Sequence, residues 1–364
     1  VKALSQSYSN FGANLGWLYG WNTLGAMVGA IIAALVLVPA LGIVNAGLVA
    51  LICNLVAAFI ALRYRQEAAP APNSESLQSA NSRSADARTR RYIAVAFLSG
   101  ALMLALEVVW FRFLLLTKDG TSLIFAVMLA VVLAGIAVGG LVAGKLFDRD
   151  ERAYRLLRAV TAMSAVMVVL TYWGYDMFSG YRNHHDVSSL RFVGYAAFLM
   201  FPVALLSGIA FTMVNRAVKD RLGSSARTAG IATFFNTLGA MLGSLAAGFV
   251  LLPALGMEIS FFLIAAAYCA LALVVPAEKR IETLPLVHRY GAVAAAVISL
   301  LIFPFGLMQN SYFNDRMAEL PNHSLVATRE GLIETLRYFS RDVHGKPKYY
   351  RLVTNGHSMS ATST

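Results

Sequence analysis

The chain has 364 residues, of which 58% are hydrophobic and 13% charged, against roughly 25% charged in an average soluble domain. That balance excludes a water-soluble globular fold, which could not hide so much apolar surface, and implies a lipid solvent. The net charge of +11 does not imply nucleic acid, because the basic residues sit between apolar runs and form no stripe. The expected fold is an all-α polytopic membrane bundle with a short β segment at the C-terminus.

A bilayer-spanning helix needs about 20 apolar residues. Nine stretches qualify: 17–38, 43–63, 92–117, 121–146, 155–176, 191–217, 227–252, 256–276 and 287–308. The ninth is the weakest, since Pro304 and Gly306 interrupt its end; the alternative is an interfacial or re-entrant helix. Residues 64–91 read as a polar linker, disordered over its Ser/Ala/Pro-rich part. Residues 309–364 are soluble in character. Cys53 and Cys269 lie inside apolar runs, so no disulfide framework is expected. No cleavable signal peptide is visible. The first residue is Val1, in the approach to a helix, and the chain reads as a piece of a longer protein.

Basic residues orient the helices. Eighteen Lys and Arg fall in one set of loops, those around 63–91, 145–158, 216–227 and 279–289. The opposite side holds four: Arg112, Lys118, Arg182 and Arg191. The richer side is expected in the cytoplasm. If the ninth segment spans, residues 309–364 lie on the other side.

Residues 22–42 read NTLGAMVGAIIAALVLVPALG and residues 236–256 read NTLGAMLGSLAAGFVLLPALG, fourteen identities in twenty-one positions at a constant offset of 214. This is the mark of a duplicated helical unit. The second unit is complete, with six helices over 92–276. Residues 1–63 hold only the last two helices of the first unit, and about four more are expected before them. Segment 277–308 is a connecting loop and additional helix. Both units start on the same side, so the repeats are parallel.

Several residues carry candidate chemistry. Glu107 lies near the middle of a membrane helix, where an ionisable group costs at least about 2.5 kcal/mol. It reads either as a proton or cation site or as a carboxyl hydrogen-bonded to a neighbouring helix. Arg112, about 140° further round, is a poor partner for it and is expected to snorkel to the surface. Asn22 and Asn236, with Thr23 and Thr237, open equivalent helices and read as interhelical packing or as a polar cavity lining. Gly135, Gly139, Gly140 and Gly144 permit close helix approach. GKLFDRDER follows, with Gly144, Asp148, Arg149 and Arg152. It resembles the loop signature of major facilitator transporters, in which such a loop braces helix ends during alternating access. Asp148 could equally cap the next helix or pair with Arg149 and Arg152. His184, His185 and Asp186 do not by themselves make a metal site, and none is expected.

The tail alternates as strands do: SLVATREG, LIETLRYFSRD and KYYRLVTNG, separated by short turns. With the ALEVVWFRFL run at 105–114, the glycines at 135–144, both NTLGAM blocks and the tail from Arg329 to Ser363, the chain resembles bacterial membrane-embedded spermidine-synthase-like fusion proteins. That resemblance implies a transporter-like region in the cytoplasmic membrane, followed by a domain similar to polyamine aminopropyltransferases. Such a domain would transfer an aminopropyl group from decarboxylated S-adenosylmethionine to a polyamine. Its nucleotide loop and catalytic Asp would lie downstream of a tail like this one, so no catalytic residue and no cofactor is expected within these 364 residues. Three readings stay open: a membrane-bound transferase, a major-facilitator-like transporter with a ligand-sensing soluble domain, and a scaffold. The expected partners are the lipid bilayer and a small cationic or polyamine-like substrate, and not nucleic acid; the sequence gives no oligomeric state.

Overall fold

The computed structural model describes residues 11–65, 87–116, 121–150, 152–179, 189–222, 225–276, 286–309, 323–332, 334–343, 346–355 and 357–363. Long apolar runs form helices in lipid because a helix closes its backbone hydrogen bonds within the segment. The helices are α1 (Phe11–Ile32), α2 (Val38–Arg65), α3 (Ala87–Leu114), α4 (Thr121–Arg149) and α5 (Leu157–Ser179). They continue as α6 (Ser189–Leu222), α7 (Ser225–Ala246), α8 (Leu252–Val274) and α9 (Leu286–Leu301). The linker is shorter at both ends than the sequence suggests, since α2 runs through Arg65 and α3 begins at Ala87. Its remainder lies outside the described residues, as do His184, His185 and Asp186.

Six stretches of the described residues are apolar and long enough to cross a membrane. Two of them, Gly12–Arg63 and Thr228–Val274, hold 52 and 47 residues. Drawn straight they would measure about 78 and 70 Å, more than twice the roughly 30 Å hydrocarbon core. Each is broken once, by Gly42 (φ 76°, ψ 170°) and by Gly256 (φ 79°, ψ 171°). Only glycine adopts that conformation without strain. Each pair of apolar segments read from the sequence is thus one helical run divided at a glycine. The same offset of 214 also relates two π-helical turns, Ala33–Leu37 and Ala247–Leu251. The repeat in sequence is therefore a repeat in backbone geometry.

Glycines set the packing. α1 lies along α4, α3 along α7, and α4 along α6. A Cβ built on Gly139 would strike the Leu205 carbonyl of α6, and one on Gly208 the Ile136 carbonyl of α4. Gly239 and Gly243 of α7 rest likewise on the Phe97 and Ala101 carbonyls of α3, and Gly100 of α3 on Asn236. Between the two repeats, a Cβ on Gly16 would stand 2.6 Å from the Gly140 carbonyl. Such contacts let backbones approach where no hydrophobic force acts between helices. Thr161, Ser164, Thr171 and Thr212 each donate to the carbonyl four residues back, so their hydroxyls need no outside partner.

The first repeat's helices lack this cover. Gly25 and Gly29, the counterparts of Gly239 and Gly243, have nothing within 4 Å. Nearly every described side chain of α2 is exposed, including Ile43, Val44, Leu51, Leu55 and Phe59.

Two ends of the bundle can be told apart. At the basic end, Gly12 meets the Phe147 ring and Arg158 Nη2 donates to the Val275 carbonyl at 2.8 Å. At the opposite end α9 stops at Leu301, short of the expected Met308. Its 16 residues measure about 24 Å. Pro304 and Gly306 (φ 88°) then turn the chain, and Phe303 and Phe305 pack into an aromatic cluster with Tyr172 and Phe262. Irregular backbone at such a depth is tolerated where protein covers it.

The tail is a four-stranded antiparallel meander, β1 (His323–Glu330), β2 (Thr335–Val343), β3 (Lys346–Thr354) and β4 (His357–Ser363), in that spatial order. Glu330 pairs with Thr335, Val343 with Lys346 and Thr354 with His357. The sequence indicated three strands ending near Asn355. Instead Asn355 has φ 46°, and Thr354 pairs with His357 of a fourth strand. The Asn355 side chain accepts the Thr335 N–H at 2.9 Å.

Candidate functional site

Glu107 is half-buried on α3. Among the described residues no opposite charge or hydrogen-bond donor offsets its burial. It follows Gly100 by seven residues, hence two turns and about 10.5 Å along nearly the same face. Gly100 is where α7 presses Asn236 against α3. Asn236 and Glu107 thus border one seam. The hydrogen-bonded partner considered in the sequence reading is not found among the described residues, so the carboxyl stands as an unneutralised polar point in the apolar bundle.

The other intramembrane candidates are not gathered around it. Asn22 and Thr237 are exposed. Thr23 is buried and donates to the Tyr19 carbonyl at 2.8 Å. Neither Asn22 nor Asn236 opens a helix, because α1 and α7 begin eleven residues earlier, at Phe11 and Ser225. Asn22 belongs to α1, which lies on α4, whereas Asn236 belongs to α7, which lies on α3.

The loop signature divides into a packing part and a solvent part. Gly144 is buried, with the Trp17 ring and the Ala13 carbonyl of α1 against it. Asp148, Arg149 and Arg152 are exposed. The helix-capping role considered for Asp148 falls to Asp150, whose Oδ1 accepts the Arg152 N–H at 2.8 Å and whose carbonyl accepts the Ala153 N–H. The reason is register: α4 runs through Arg149, so Asp148 is still in its last turn. An Arg216–Asp220 ion pair at 3.2 Å lies at the same end, on α6.

The opposite end holds a polar cluster that sequence reasoning missed. Glu258 accepts the Tyr172 hydroxyl at 2.9 Å and the N–H groups of Gly306 and Met308 at 3.0 and 3.2 Å. It ties α5, α8 and the turned segment after α9 together. A signal was present: the duplicated position is Val44, so Glu258 breaks the repeat with an acid inside an apolar run. Glu258→Ala strips the acceptor from two backbone N–H groups and a hydroxyl. We expect a loss of about 1–3 kcal/mol, read as a lower thermal unfolding midpoint in lipid nanodiscs.

Arg112 does not snorkel into water. It is 4% exposed, with Nη1 donating to the carbonyls of Gly331 and Leu332 at 3.1 and 2.9 Å. Beside it, Glu330 Oε1 accepts the Met257 N–H at 2.9 Å. Burial pushes the Glu330 carboxyl above its ordinary range, and the Met257 N–H and the Arg112 charge pull it back only in part.

Comparison with known protein families then gives a match. The family model for the Major Facilitator Superfamily fits residues 2–244, more than half of the chain. No curated protein and no solved structure matches.

Proposed function

We propose that this chain, which belongs to the major facilitator superfamily, is the membrane part of a secondary transporter for a small cationic solute, with Glu107 as its central ionisable group. The observation that carries the reading is Glu107 itself. A carboxyl kept within a membrane helix, half-buried and without a cation beside it among the described residues, is costly, and a role in holding a proton or cation accounts for that cost. In transporters built from parallel repeats, substrate and coupling-ion sites lie near the midplane at the repeat interface. Glu107 itself borders the seam of α3 and α7 within the second repeat, and a negative point in an apolar bundle favours a proton or an organic cation.

The duplicated geometry supports a second part of the proposal. The open faces at Gly25, Gly29 and α2 match, at offset 214, faces that α3 and α5 cover in the second repeat. Helices of a first repeat would cover them in the same way. The basic end faces the cytoplasm of a bacterial cell in this reading, and the sheet faces outward. Aminopropyl transfer has no support from these comparisons, and the family match ends at residue 244, before the sheet begins.

The experiment is uptake of radiolabelled spermidine into proteoliposomes under an imposed proton gradient, with the protein in its full natural length. Accumulation above protein-free liposomes that collapses with a protonophore is expected. Accumulation at the protein-free level with spermidine, putrescine and choline alike would rule out the cationic-solute reading.

A further inference from the structure

The β1–β2 turn and the helices beneath it grip one another from both sides. Arg112 projects from α3 and fixes the turn carbonyls of Gly331 and Leu332. Its Nη2 lies 3.5 Å from Thr335 Oγ1. Glu330 projects the other way, and its carboxylate lies on the first N–H after the Gly256 break in α8. A Cβ on Gly256 would stand 3.1 Å from that carboxylate, so the glycine also makes room for the contact. The twin break at Gly42 has nothing within 4 Å, so the duplication does not account for this docking. Arg112 follows Glu107 by five residues, about 7.5 Å along the same helix. Charge-assisted hydrogen bonds of this kind are the strong ones, and here they join two rigid elements.

We propose that the sheet is a latched cap, with Arg112 and Glu330 locking the β1–β2 turn across the ends of α3 and α8. The sheet then moves with the second repeat, and opening the latch frees the end of the helix that carries Glu107. The latch concerns docking alone, so it stands or falls independently of whether spermidine is carried.

Thr335, fully buried under the dock, and Leu332, 57% exposed at its edge, allow a direct test. In full-length protein with Cys53→Ser and Cys269→Ala, single cysteines Thr335→Cys and Leu332→Cys are labelled by a maleimide in membranes open on both sides. Thr335→Cys should react at least about tenfold more slowly than Leu332→Cys. Adding Arg112→Ala, or separately Glu330→Ala, should each raise its rate about tenfold, while a Leu106→Cys probe in the core of α3 stays unlabelled. Glu330→Ala leaves every helix side chain in place, which guards against a folding defect from the arginine variant. Three results would overturn the latch: a Thr335→Cys rate equal to that of Leu332→Cys in the parent, no rise in either variant, or labelling of Leu106→Cys along with Thr335→Cys.

Discussion

Glu107→Gln is expected to reduce gradient-driven spermidine uptake to the protein-free level while the protein still folds. The substitution keeps the size, exchanges one acceptor oxygen for an amide NH2 donor and removes the ability to ionise. Among the described residues no partner depends on that ionisation, so stability should change by no more than about 0.5 kcal/mol. Yield, gel-filtration profile and thermal midpoint should match the parent. A variant that transports normally would remove Glu107 from any coupling role. A variant that fails to fold would instead make the carboxyl a structural group and leave the proposed site without its central residue.

The second large effect lies in the glycine seams. Gly239→Leu places a branched side chain where a single Cβ already meets the Phe97 carbonyl of α3. Overpacking of that kind costs about 1–3 kcal/mol or more, and backbone, unlike a side-chain tip, cannot swing aside. Thermal unfolding of the 364-residue chain in nanodiscs should show a much lower midpoint, or no folded protein. The duplicated substitution Gly25→Leu meets nothing within 4 Å and should shift stability by no more than about 0.5 kcal/mol. In a protein with a full first repeat, Gly25→Leu should become as damaging as Gly239→Leu. Equal tolerance of Gly25→Leu in both lengths would mean that lipid, and not a helix, faces α1 there.

Much of this architecture was legible because membrane helices and internal repeats write strong signals. The apolar runs located α1 to α8, and the identities between 22–42 and 236–256 marked a duplicated unit, whose matching breaks at Gly42 and Gly256 came from the structure. What stayed hidden depends on contacts between distant segments. Periodicity does not say that Arg112 meets Gly331 and Leu332, more than two hundred residues away. It does not separate Asp150 from Asp148 as the cap either, because helix ends drift by a residue or two. The fourth strand, His357–Ser363, was missed because HSMSATS has the polar composition of a loop and is drawn into the sheet by pairing with β3. The shortened α9 follows from Pro304 and Gly306, which the sequence flagged. That Glu258 would accept the N–H groups thereby freed required the tertiary structure. Of the candidate residues, Glu107 is half-buried on α3. Asn22 and Thr237, both exposed, are not brought to it.

The sidedness of the sheet tests the whole arrangement most directly, since it joins the charge bias of the loops, the proposed crossing by α9 and the docking at the end opposite the basic loops. Leu332→Cys in a cysteine-free background would be treated in intact cells with a membrane-impermeant maleimide, beside Lys145→Cys at the basic end. Labelling of Leu332→Cys with protection of Lys145→Cys is expected. The reverse pattern would place the sheet in the cytoplasm and contradict the orientation proposed for the bundle.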